Sequence, residues 1–219
     1  MNTAFIIPCD FSLYHPHNQH YQACRETINT LQYPASGIGI IEYGGSPIES
    51  SVQESLLEDV SFIAAYQHDE KIKAQIQLLP EKQVDTLCQI AALAWFFSLS
   101  EAQKIFPQPT QVMVVTPGVQ INSDLFSQLS SQQQEDKFIF APPTKATLRH
   151  EDTGGVLMQL STTLWGFNSQ QLSTVTQVLN KALHYTYQRF LQHGDIDLGH
   201  ALFQFIDSSD IFFINQLPK

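Results

Sequence analysis

The sequence predicts an α/β domain, a mainly parallel mixed sheet flanked by helices. Three observations predict it. Apolar segments and helical patterns alternate in a β-α-β-α-β-α-β order through the first half. The strand-like segments are apolar throughout rather than alternating with polar residues, the pattern of strands covered on both faces. The 219 residues, 43% of them hydrophobic, can bury one large core, and no linker divides them. A single domain over 1–219 is expected.

Thr3–Pro8 (TAFIIP) is a short, wholly apolar strand. Asn18–Leu31 follows as a helix, with Tyr21, Cys24, Ile28 and Leu31 at three- and four-residue spacing. Pro34 and Gly37 break it. Ile38–Tyr43 is a second buried strand, ending in the turn Gly44-Gly45-Ser46-Pro47, and Val60–Ala65 is a third. Val84–Lys104 is the strongest helix, with Leu87, Ile90, Ala91, Ala94, Trp95 and Leu99 in one apolar stripe and Pro107 and Pro109 beyond its end. Val112–Val115 is the fourth strand, and Asn122 or Ser123 can cap a helix starting near Asp124. Phe138–Phe140, Val156–Leu160 and Ile211–Ile214 read as further strands, Leu172–Leu191 and Leu198–Phe205 as helices. Tyr185, Tyr187, Phe190 and Leu191 form an apolar helix face, either core or a contact between two copies, which leaves a homodimer open.

The formal net charge is -10, and the 11 Lys and Arg are spread singly. Such a surface repels a phosphate backbone, so nucleic acid and anionic membrane are poor partners. No stretch approaches the roughly 20 apolar residues of a membrane span, and the N-terminal residues lack the basic region of a secretory signal. Cys9, Cys24 and Cys88 are scattered and odd in number, which points to reduced thiols and a cytoplasmic setting.

In open parallel sheets, ligands bind beyond the carboxyl ends of the strands. Four such ends are readable: Cys9-Asp10, Glu42–Ser46, Gln67–Asp69 and Thr116–Gly118. The most informative is the stretch 111–125, QVMVVTPGVQINSDL, a buried strand running into a tight turn and then a helix.

IIPCDFS at 6–12, EYGGSP at 42–47, VVTPGVQINSDL at 114–125, WGF at 165–167 and GDIDLGHAL at 194–202 occur in one order. That order resembles the inverting GT-A glycosyltransferases of the family 2 type over roughly residues 3–206. The resemblance implies a GT-A-like fold, a nucleotide-sugar donor, and a glycan or small-molecule acceptor whose hydroxyl takes the sugar with inversion. It places Pro8, Asp10, Ser12, Glu42, Gly44, Gly45, Thr116 and Gly118 around the nucleotide-sugar. It makes Asp195 the general base, with Asp197 as runner-up for that role. Trp165 would be an acceptor platform, with core packing as the alternative for the same residue. Asp195 can equally cap the helix beginning near Leu198.

The chain departs from that pattern in three places. The Asp-x-Asp turn is Thr116-Pro117-Gly118, so a divalent metal (Mn or Mg) is not expected there, because such ions prefer anionic oxygens. The arginine expected after the acidic segment falls at Ala201, and an extra helix separates Phe167 from Asp195. A metal-independent transferase would need other cations for the leaving group, such as Lys145 or Arg149. The same losses fit a GT-A-like protein that only binds or acts as a scaffold. A third reading is a metal-dependent hydrolase built on His15, His17 and His20, with Asp10 as a further ligand; the bland alternative is a solvated loop. His68-Asp69-Glu70 reads as an acidic helix start, and Cys9 as a small buried hydrophobe.

Overall fold

In a computed structural model of the chain, which describes residues 2–11, 19–31, 36–106, 109–121, 124, 127–128 and 137–214, the apolar runs of the first half pair as parallel strands. These are β1 (Asn2–Cys9), β2 (Gly37–Glu42), β3 (Phe62–Ala65) and β4 (Thr110–Val115). β1 sits between β2 and β4, with Ile6 opposite both Gly39 and Val114. The sheet then continues through β5 (Phe138–Phe140), β8 (Leu164–Asn168) and β9 (Ile211–Phe213) in the order β3-β2-β1-β4-β8-β5-β9. Only β8 runs against its neighbours. A separate ribbon pairs β6 (Thr144–Lys145) with β7 (Met158–Gln159).

The doubly apolar strands serve two cores. From β1, Ala4 and Ile6 join one cluster while Phe5, Ile7 and Cys9 join the other. The first cluster lies under α4 (Glu81–Ser98), α6 (Leu172–Leu191) and α7 (Leu198–Phe205), the second under α1 (Gln19–Leu31) and α2 (Ser50–Leu57). Two shorter α-helices are α3 (Glu70–Ile76) and α5 (Ser100–Ile105). Phe5, Phe96, Phe140 and Phe167 are fully buried, each worth about 1.5–3 kcal/mol of apolar transfer.

The expected long helix over 84–104 is two helices. Ser98 Oγ donates to the Trp95 carbonyl at 2.6 Å, Leu99 is extended (ψ 139°), and α5 starts afresh. The strand expected over 156–160 pairs only at Met158–Gln159. β8 is the strand that composition hid. Its Gly166 weakens any strand reading, yet a Cβ there would lie 2.6 Å from the Val112 carbonyl and 2.4 Å from Met113 Sδ, so close pairing with β4 requires glycine. The face of α6 read as core or dimer contact is largely core: Phe190 is buried and Tyr185 packs edge-on against Phe205, leaving Leu191 exposed. The cap at Asn122 or Ser123, Pro34 and Pro107 lie outside the described residues.

Candidate functional site

Because β1 to β4 are parallel, their carboxyl ends open on one rim. The rim bounds a cleft of about 890 Å³. Pro8, Cys9 and Asp10 enter from β1, Tyr43 and Gly44 from β2, His68 from the turn after β3, and Thr116 and Pro117 from β4. The facing wall is the start of α4, with Lys82, Asp85, Cys88 and Gln89, and His20 comes from α1.

Glu42 lies behind this lining, 0% exposed. Its Oε1 accepts from the backbone N–H of Gly44 at 2.7 Å and of Phe11 at 3.3 Å. It therefore clasps the loops after β1 and β2 rather than presenting its carboxylate to a ligand. Its other oxygen is buried with no partner among the described residues. Burial pushes the carboxyl up to about 7, against the N–H donors of Gly44, Phe11 and Gly45 that pull it down. Gly45 has φ 74°, and a Cβ there would come within 2.6 Å of the His68 ring. That ring uses Nε2 to reach the Tyr43 carbonyl at 2.8 Å, so Gly45 gives it room.

At the Thr-Pro-Gly turn, the Thr116 hydroxyl donates to the Thr162 carbonyl at 3.1 Å. The Gly118 N–H points to α1, toward Thr27 Oγ1 and the Ala23 carbonyl, each at 2.9 Å. Gly118 thus stands behind the cleft with its amide donor already engaged. The turn carries no carboxylate, and its one side-chain oxygen is a donor to backbone, so this donor set does not fit a divalent cation.

Asp195 Oδ2 pairs with Lys82 Nζ at 2.6 Å, at the mouth beside the cleft. Asp197 is the residue that caps α7: its Oδ1 accepts from His200 N–H at 2.9 Å and lies 2.6 Å from His200 Nδ1. Burial pushes Asp197 up, but the His200 ring and backbone donors prevail and hold it below the usual carboxylate value. Trp165, expected as an acceptor platform, is instead 1% exposed and stacked on Phe140 at 5.8 Å, so it belongs to the core. Arg149 is held by both oxygens of Asp152, at 2.8 and 3.1 Å, and neither it nor Lys145 borders the cleft. Asp69 caps α3, accepting from Ile72 N–H at 2.8 Å, as its sequence position implies. The three cysteines are free and buried, and burial pushes the Cys88 thiol up to about 12. Ser12, His15 and His17 lie outside the described residues, and among those described no group of three or more His, Cys, Asp and Glu is placed to hold a metal ion.

The residue the sequence reading missed is Asp85. Tyr43 Oη donates to its Oδ1 at 3.0 Å, and burial raises its carboxyl above the ordinary value despite that bond. Lys82, Asp85 and Gln89 recur at three- and four-residue spacing, the signal of a second, polar stripe on α4. It is lost when the helix is started at Val84 and only the apolar stripe is followed.

No protein-family model matches the chain, and no curated protein matches it in sequence. Solved structures match it in fold. The galactosyltransferase LgtC in complex with donor and acceptor sugar analogs aligns with a TM-score of 0.57 at 9% identity, over 98% of this chain and 73% of that one. Core-mannan synthase A from Aspergillus fumigatus, in a Mn/GDP form, aligns with a TM-score of 0.52 at 10% identity, over 97% and 72%. Mouse xyloside xylosyltransferase 1 aligns with a TM-score of 0.52 at 10% identity, over 98% and 85%. The chain has the GT-A glycosyltransferase fold. Among the described residues no helix is long and apolar enough to cross a membrane.

Proposed function

We propose that the chain binds a nucleotide-sugar in the strand-end cleft and transfers the sugar to an acceptor hydroxyl with inversion, without a divalent cation at the Thr116–Gly118 turn. The observation that carries this reading is the 890 Å³ cleft at the carboxyl ends of β1 to β4, in the fold shared with solved sugar transferases. Asp85 is the better-placed base. It lines the cleft, Tyr43 orients it, and its second oxygen can accept a hydroxyl proton. That proton moves to Asp85 as the acceptor oxygen forms its bond to the anomeric carbon. The bond from that carbon to the diphosphate breaks, and its electron pair stays on the phosphate oxygen. Lys82 borders the cleft, and the hydrogen bond and charge of Asp195 raise its pKa and keep it cationic, so it can offset leaving-group charge. Asp195 then acts as the group that holds Lys82.

The test is a thermal-shift screen with UDP, GDP and TDP, with and without manganese, followed by donor hydrolysis. A nucleotide should raise Tm through mass action, equally with and without manganese. Asp85→Asn should keep that shift and lose hydrolysis by about a hundredfold or more. No shift with any of the three nucleotides at millimolar concentration would sink the reading.

One observation favours a second reading, a GT-A-fold protein that binds without catalysis. Asp10, Glu81 and Asp85 oppose Lys82 around the cleft, and the Gly118 amide is engaged elsewhere, so a diphosphate finds little positive charge among the described residues. Nucleotide binding with no hydrolysis, unaltered in Asp85→Asn, would select it.

A further inference from the structure

The helical layer over the first core leaves a second recess, separate from the strand-end cleft. It lies among α3, α4 and α6 and holds about 310 Å³. That is near the lower end of the roughly 300–1,000 Å³ of small-molecule sites. Its floor is aromatic and apolar. Trp95 is half-buried and leans on Tyr66, ring centroids 5.4 Å apart at 42°, beside Ala91 and Ala94. Its rim is polar: Gln75, Ser98, Asn180 and His184. Asn180 turns its amide N–H to the Thr176 carbonyl at 2.9 Å, and its amide oxygen remains an acceptor on an exposed residue. The formal charges at the recess, Asp69 and Lys71, are of opposite sign.

These groups select a ligand class. A phosphorylated ligand calls for clustered cations or unspent backbone amides, and a docked amphipathic helix calls for an unbroken apolar groove. The recess has a single lysine, Lys71, offset by Asp69, and polar groups interrupt its apolar floor. A pyranose has an apolar C–H face and an edge of hydroxyls that both donate and accept, which matches an indole face ringed by amide, hydroxyl and imidazole groups. We infer that the recess is a neutral-saccharide site, with Trp95 as the stacking surface and Gln75, Asn180 and His184 as hydroxyl partners. Tyr66, which lines the recess, and His68, which lines the cleft, have ring centroids 5.6 Å apart. The inference stands on the chemistry of the recess and does not need the transfer reading.

Trp95 and Trp165 are the only tryptophans, and Trp165 is buried, so a change in emission on adding sugar reports Trp95. Maltotriose, cellotriose and mannotriose, titrated to about 20 mM, should include one that gives a saturable change with Kd of about 1–10 mM. The same sugar should give saturation-transfer NMR signals from its ring protons. Trp95→Ala should weaken binding about tenfold or more by NMR, and Asn180→Ala, at an exposed position, about threefold, with circular dichroism confirming that both fold. A saturating nucleoside diphosphate should not displace the sugar. The inference is overturned by no saturable response to any of the three sugars, by a response that both variants leave intact, or by displacement with nucleotide.

Discussion

The carboxylates on the two sides of the cleft contrast. On the β2 and α4 side, Glu42 and Asp85 are pushed upward by burial, and each has only part of its hydrogen-bonding capacity met by neutral donors. On the side of the 194–202 segment, Asp195 holds Lys82 and Asp197 caps α7 and grips His200. Sequence resemblance points to the second pair as the reactive one. The proposed transfer uses Asp85 instead, which lines the cleft, while Glu42 stays behind the lining. Carboxylates already satisfied by a cation and a helix end are poor proton acceptors, whereas one desolvated in a cleft is tuned toward that task.

Four variants can break or sharpen this contrast. The largest effect belongs to the core beneath both sides. Trp165→Ala should lose about 3–5 kcal/mol of unfolding free energy in urea titrations. A stable variant impaired only in acceptor binding would return Trp165 to the site.

Next is Glu42→Gln. The folded protein keeps this proton up to about pH 7, while the unfolded chain releases it near the ordinary value of 4.5. The native state thus binds more protons in that window, and the contribution of Glu42 to stability falls as pH rises through it. Glu42→Gln should be more stable than the parent by about 1–3 kcal/mol at about pH 8, with no gain at about pH 4. A Tm series across that range checks it. Parallel curves would mean that Glu42 titrates as an ordinary surface carboxylate.

Asp197→Ala should cost about 1–2 kcal/mol at neutral pH through the lost cap. Here the folded value is depressed, so the stabilisation is present above the ordinary carboxylate value and fades as pH falls below it. Chemical denaturation at two pH values reads the difference, and a cost that grows at low pH contradicts the assignment. The smallest effect is expected for Asp195→Asn, under about 1 kcal/mol, because Lys82 is 76% exposed and solvent screens the pair. If Asp195→Asn abolishes donor hydrolysis while Asp85→Asn does not, the contrast is inverted.

Much of the fold was legible where apolar runs were unbroken. β1, β2, β4, α6 and α7 fall within a residue or two of their expected bounds, and Leu172–Leu191 and Leu198–Phe205 coincide with them. α2 was not legible and α3 only at its acidic start, since they bury only Val52 and Leu56, and only Ile72, too few apolar positions to set a period. β8 was hidden by the glycine its close packing demands. At the site, the rim could be read from strand ends, but the roles of its residues could not. Glu42 is defined by an N–H 31 residues away, and Gly118 by a hydroxyl 91 residues away. Such pairings depend on the assembled sheet and leave no local signature.

The Thr27 hydroxyl receives the Gly118 N–H and gives its own hydrogen to the Val119 carbonyl at 3.0 Å, out of reach of water. The Gly118 N–H is shared with the Ala23 carbonyl, so one forked donor and the Thr27 hydroxyl tie the bend and the residue after it to α1, about 1 kcal/mol net for each donor. This corner of the cleft is therefore set before any guest arrives, and a guest that needs it reshaped has to carry the whole of α1 along.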